Sequence, residues 1–293
     1  MRRAVLGPGL RVVSVFLLAL LAATVSGCTY VVSLAADELA TNLGAAVRNQ
    51  NDPETVRQGA PAYLLLVDSL VEGDGNNYRV LFAGARIYDS YSSIFVNDVD
   101  RARRLSGKAW SHVNKGLCLK RKAYCDLSTK SFAEYSGVIS KVEDSDAAAL
   151  YTYASVWAGW IQVNSGNWKI VADIPKVRVA MERVAQLHPD HDQGVIYLYL
   201  GGLASLLPPA LGGKPEEARQ FFEKAFDLSD KKNLMAQVML AEKYARPTFN
   251  RKLHDSVLKQ VVAANVEASG FTLTNVLAQE RAQKLLRSAN EYF

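Results

Sequence analysis

The chain has 293 residues, 49% of them apolar and 22% charged, an ordinary globular composition with room for one large domain or two small ones. Its formal charge is +5, from 34 basic and 29 acidic residues. Arg2, Arg3 and Arg11 fall in a segment read below as removable. The remaining 31 basic against 29 acidic residues leave +2, too little to point to nucleic acid.

Residues 1–27 read as a signal peptide of the lipoprotein type. Arg2 and Arg3 give a positive start, and an apolar run at 12–23 is broken only by Ser14. The run is short for a membrane span of roughly 20 residues and fits a secretory signal. Val25-Ser26-Gly27-Cys28 resembles a bacterial lipobox, in which Cys28 receives lipid and becomes the new N-terminus. An ordinary signal peptide followed by a chance cysteine is the alternative. Lipidation anchors a chain to a membrane without spanning it. Thr29, not Asp, follows the cysteine, which resembles the sorting pattern of outer-membrane lipoproteins with a periplasmic body.

Residues 28–52 read as the anchor plus an N-terminal helix, with Val31, Val32, Ala35, Leu39, Leu43 and Val47 as its apolar positions. The main helical domain is expected over 53–293. Asp52 caps and Pro53 opens its first helix, which Pro61 is expected to kink or split. Helices follow at 77–95 and 99–116. Arg101, Arg103 and Arg104 read as a solvated face, because Ala102, Leu105 and Ala109 already define an inner one. Cys118 and Cys125, with six residues between them, close a small loop in an oxidising compartment; a metal site would need His or Cys partners, and none is near.

A helix is expected at 129–140. Asp144-Ser145-Asp146 then caps an aromatic helix at 147–163 that bears Tyr151, Tyr153, Trp157 and Trp160. An irregular piece spans 164–173, and a helix at 175–187 stops at His188-Pro189. The next helix, 195–206, is almost wholly apolar. After LLPPALGG comes a helix at 215–228, opened by Lys214-Pro215-Glu216-Glu217, with carboxylates where the dipole favours them. Helices at 233–245, 250–264 and 273–292 complete the chain. No run alternates with period two for long enough to claim a strand. The fold class is all-α.

Three of the second helices share a register. Ala102, Ser106 and Ala109 lead to Asn114; Val177, Met181 and Val184 lead to Pro189; Ala218, Phe222 and Ala225 lead to Asp230. The spacing is four, three and five each time, the register of a tetratricopeptide second helix. Gly84, Gly159 and Gly201 precede these triplets by 18, 18 and 17 residues. The predicted architecture is therefore a tetratricopeptide-like superhelical array of antiparallel helix pairs with extended intra-repeat loops. The inserts are read at 89–98, 164–173 and 206–213. The last is apolar, with Pro208 and Pro209 holding it extended, and is a candidate cavity wall.

The strings LYTYASVWAGWIQ, MERVAQLHPDHDQG and LPPALGGKPEEARQFFEKAFDLS resemble the TatT family, tetratricopeptide-repeat lipoproteins associated with TRAP (tripartite ATP-independent periplasmic) transporters. LMAQVMLAEKYARPTFNRKLHDSVLKQVV and YDSYSSIFVNDVDRARRL extend the likeness across roughly 53–263. The resemblance implies a periplasmic accessory that binds a solute-binding protein and handles small, hydrophobic ligands. The Cys118–Cys125 loop is a departure from that pattern. Trp157, Trp160, Tyr197, Pro208, Pro209 and Leu211 are the candidate cavity lining, each with core packing as its plain alternative. No enzyme is expected. Among His112, His188, His191 and His254 only the stretch His188 to Asp192 clusters polar groups, at a helix end the repeat already demands. No nucleophile elbow, phosphate loop or zinc spacing is present, and no cofactor or metal is implied. The competing function is a scaffold lipoprotein in envelope assembly that holds protein partners without a small ligand. Self-assembly of the chain is left open.

Overall fold

The computed structural model describes residues 42–293. The signal peptide 1–27, the lipidation candidate Cys28 and most of the anchor segment lie outside the described residues. Contacts divide the chain into two units, Met1–Asn49 and Gln50–Phe293. Of the first, a short helix at 42–48 is described. The second is helical throughout, with no strand among the described residues.

Its opening helix α1, Pro53–Gly73, starts where Asp52 accepts hydrogen bonds from the Glu54 and Thr55 amides, satisfying donors that a helix leaves orphaned. Pro61 neither splits nor ends it. The carbonyl a proline frees lies four residues back, at Arg57, which is exposed, so water can satisfy it at low cost. Next come α2, Tyr78–Phe95, capped by Asn77, and α3, Val99–Lys120, capped by Asp98. The expected insert at 89–98 is mostly extra helix. Only Val96, Asn97 and Asp98 connect α2 to α3, and Asn114 lies inside α3 without ending it.

A loop stapled by Cys118 and Cys125 leads to α4, Phe132–Ile139, which begins later than expected. Ser131 and Glu134 form a reciprocal capping box there, and that fixes its start. Helix α5, Asp144–Val163, has Glu143 at its cap position with no side-chain bond. Asp144 and Asp146 are therefore first-turn residues and not caps, and Asp146 turns inward to other partners described below. The short α6, Trp168–Val171, interrupts the expected irregular piece. Then follow α7, Ile174–Leu187, α8, Val195–Ala204, and α9, Pro215–Leu228. Helix α10, Leu234–Leu240, runs on into a π-helical turn at Ala241–Ala245. Helices α11, Arg251–Ala263, α12, Thr272–Arg287, and α13, Ala289–Tyr292, close the chain, with a break at Ser288 where one helix was expected.

The helices pack in pairs: α2 with α3, α5 with α7, α8 with α9, and α10 with α11. The first helix of each later pair touches both helices of the pair before it: α5 meets α2 and α3, α8 meets α5 and α7, and α10 meets α8 and α9. All nine register residues, from Ala102 to Ala225, are buried, none above 6% exposure. The shared glycines have a packing cause. A Cβ on Gly201 would sit 2.4 Å from the Phe222 ring, and one on Gly84 would sit 2.6 Å from Val67 Cγ1. Each glycine thus admits a neighbour's side chain to the helix backbone. Burial of a ring such as Phe222, at 0% exposure, contributes about 1.5–3 kcal/mol. The main core centres on Trp157, Tyr135 and Tyr153, with Trp110 stacked on Tyr153 at 5.6 Å.

Candidate functional site

The connection between α8 and α9 is a closed loop whose shape follows from its residues. Pro208 has the extended backbone that a residue before proline prefers, and Pro209–Leu211 makes one 3₁₀ turn. Gly212 then adopts φ +94°, a conformation that favours glycine. The Gly213 amide donates to the Pro208 carbonyl at 3.0 Å, and the Lys214 amide donates to the Ala204 carbonyl at 2.7 Å, cinching the loop. A Cβ on Gly213 would lie 1.8 Å from the Leu207 carbonyl oxygen, so no other residue fits there. Pro215 and two glutamates then open α9.

Facing this loop across a cleft of about 460 Å³ is the preceding insert. One wall carries Trp168, Val171, Ile174 and Pro175; the other carries Leu203, Leu207, Leu211 and the two glycines. Both inserts belong to consecutive helix pairs, and α7 packs on α8, which brings them side by side. Trp168 is 68% exposed and Leu211 58% exposed, a large apolar area to leave in water. Arg178 is the one cation set in the apolar floor, and it is spent. It grips Glu217 of α9 in a two-point ion pair at 2.9 and 2.5 Å, and its Nε donates to Glu182 at 2.8 Å. The Glu217 hydrogen bonds hold the guanidinium pKa above its ordinary value, and the same contact holds the Glu217 carboxyl below its own. What remains for an occupant is carbon surface, with Lys214 at the edge.

The six lining candidates separate. Leu211 lines the cleft. Pro208 and Pro209 are exposed on the loop that forms its wall but do not line it. Trp157 is 1% exposed in the main core. Tyr197 is buried on the α9 side, stacked on Phe221 at 6.0 Å with Lys224 Nζ 4.1 Å above its ring. Trp160 is half-buried and packs against Gly107. Trp168, Leu203 and Leu207 take their place in the cleft. Trp168 was legible as an apolar residue in an insert, but only the stacking of pairs reveals which loop it faces.

Cys118 and Cys125 are disulfide-bonded, with Cα atoms 4.2 Å apart. The loop so closed delivers Lys120, Arg121 and Tyr124 to the buried Asp146, at 3.1, 2.7 and 2.7 Å. Burial alone would push the Asp146 pKa up, but these three contacts outweigh it and the pKa falls below its ordinary value. At the same end of α5, His188 Nε2 lies 2.9 Å from Asp144 Oδ1, and two turns further along the His191 ring leans on Tyr151 with centroids 4.4 Å apart. Among the described residues no group of three or more His, Cys, Asp or Glu could hold a metal ion.

The family model for the TRAP transporter T-component matches residues 49–293. The chain belongs to that family. The match spans both inserts, the cleft and the disulfide loop of this T-component. No curated protein matches the chain. As a component of a TRAP transporter it has an accessory role in transport at the cell envelope. Among the described residues, no helix is long and apolar enough to cross a membrane.

Proposed function

We propose that this T-component is a lipid-anchored periplasmic accessory, held by Cys28, that docks the solute-binding protein of its TRAP transporter and uses the apolar cleft to engage that partner or a small hydrophobic ligand. The observation that carries the reading is the cleft itself. Two inserts that the helix pairs do not need for stacking leave Trp168, Leu207 and Leu211 facing open space, while the cation in its floor is already paired. Apolar surface of this kind is costly unless something covers it. The tetratricopeptide-like reading of the body is supported by the pair-on-pair packing and the nine buried register residues.

Native mass spectrometry of the full chain purified from its own host tests the proposal. The expected result is a co-purifying solute-binding protein or a bound lipid-like molecule, lost in the double variant Leu207→Asp, Leu211→Asp with its helical circular dichroism intact. Recovery of envelope-assembly proteins alone would favour the scaffold reading. Undiminished binding in the folded double variant would remove the cleft from the function. Replacing Cys28 with Ser is expected to release the body from membranes into the soluble periplasmic fraction; retention on the membrane would contradict the anchor.

A further inference from the structure

Helix α1 carries two apolar faces. One holds Leu64 and Val67, buried against the body. The other meets water: Leu65, Leu66 and Leu70 are 71%, 54% and 49% exposed, with Tyr63 exposed beside them. Tyr63, Leu66 and Leu70 follow one another at helical spacing and form one line, with Leu65 on its flank. The charged residues of α1 stand aside from that line. At 100° per residue Glu54, Arg57, Asp68 and Glu72 all fall along one narrow edge. Glu54 is tied to Arg57, and Asp68 to Lys108 of α3 at 2.6 Å. The outer face therefore runs from Thr55 to Gly73 without a charge.

Packing explains why this face is open. Helix α1 precedes the first helix pair, lies on α2 and touches α12 more sparsely. An end helix of such an array ordinarily turns a polar side outward. A contiguous apolar patch of a few hundred Å² instead marks an interaction site. The polar groups on the face say what kind. Protein interfaces carry about one hydrogen bond per 100–200 Å², but here Thr55 is spent on Asp52 and Gln58 on Glu54. Ser69 and the Tyr63 hydroxyl remain. Lipid chains ask for no hydrogen bonds at all. The chain also brings a lipid surface within reach. Cys28 lies 25 residues before Pro53, at most about 85 Å of extended backbone, and a tether of that kind makes the encounter intramolecular.

We propose that α1 lies along the surface of a phospholipid bilayer, with Leu65, Leu66 and Leu70 at the boundary of the acyl chains and Tyr63 at headgroup level. The inference rests on the lipid-anchor reading of Cys28. A lipid anchor alone leaves the body free to turn, whereas a docked helix face fixes which side of the array meets solution. One helix face gives reversible binding only, so Cys28→Ser still releases the body.

The test uses the full lipidated chain in phosphatidylcholine vesicles with brominated acyl chains, which quench tryptophan at acyl depth. Leu65→Trp, Leu66→Trp and Leu70→Trp place reporters on the face, and Arg57→Trp places one on the charged edge. The wild type supplies the background of the four native tryptophans. Strong quenching is expected at 65, 66 and 70, and little at 57. Adding Leu65→Asp and Leu70→Asp to the Leu66→Trp chain is expected to reduce its quenching to the level at 57. These side chains are exposed, so the unfolding temperature is expected to hold. Chain that floats with the vesicles but is quenched equally at all four positions overturns the docking and leaves the anchor standing. Chain that does not float overturns both. Blue-shifted emission from the face without quenching shows that protein covers it, whether a second copy or another partner, and overturns the lipid assignment.

Discussion

Asp89 makes the stability of this T-component fall with rising pH over a window where most proteins gain or hold. Burial raises its carboxyl from 3.8 to about 8. Below pH 4 the group is protonated in both folded and unfolded chains and no penalty exists. Between pH 4 and 8 the folded chain keeps a proton that the unfolded chain gives up, so the folded state binds more protons and loses stability as pH rises. A tenfold change in proton affinity is worth about 1.4 kcal/mol, so the full window amounts to about 5 kcal/mol, a large share of the stability of an ordinary domain. Asp89→Asn keeps the shape and removes the titration. Urea unfolding of the full chain and of this variant at pH 4, 6 and 8 measures the difference directly, and the comparison cancels groups common to both, including His191, whose imidazole burial holds low. The variant is expected to match the wild type to within a constant offset at pH 4 and to gain about 3–5 kcal/mol on it by pH 8. Two curves that stay parallel to within about 1 kcal/mol across that range would show that Asp89 ionises freely, and the argument for an uncompensated carboxyl would go with it.

Three further outcomes follow from packing and chain connectivity. Gly213→Ala sets a methyl group against the Leu207 carbonyl and forces the loop open; binding at the cleft is expected to drop while the helical core survives, since residues 208–212 are exposed. Gly201→Ala drives a methyl group into the Phe222 ring and is expected to cost about 1–3 kcal/mol by thermal or urea unfolding, with no such loss for Gly137→Ala, which meets nothing within 4 Å. Cys118→Ser with Cys125→Ser opens a short loop and is expected to cost about 2–3 kcal/mol; thiol counting on periplasmic wild-type protein should find the pair oxidised, and two free thiols there would refute the assignment.

The parts of the fold that were legible are those whose cause lies within a few residues. The register of Ala218, Phe222 and Ala225 predicts burial because a helix repeats its face every three to four residues, and Gly201 was visible as its counterpart because a close approach needs a missing Cβ. The chemistry of LLPPALGG was also local: two prolines, one left-handed glycine and one glycine with no room for a side chain. Helix ends were less legible. Glu134 reaching back to Ser131 moves α4 forward, and α2 absorbs most of an expected insert because Tyr91 and Ser92 are buried on the same face as Ala85 and Tyr88.

Function-bearing positions resisted for a different reason. Trp168 and Leu211 are far apart in sequence and meet only because consecutive pairs stack, so an aromatic count along α5 pointed to Trp157, which serves the core instead. Asp89 did leave a trace. It falls four residues after the buried Ala85 and three before the buried Ser92, an acid on the inner face of a helix. Periodicity marks that as an anomaly but cannot say whether a partner waits across the interface. Here the facing residue is Gly159, which offers room and no donor. A repeat that elsewhere uses its glycine to admit Val67 or Phe222 uses it at this one position to admit a carboxylate. The same backbone device that builds the core in the first and third pairs thus creates, in the second, a buried carboxyl group that burial keeps protonated and whose Oδ1 has no hydrogen-bond partner.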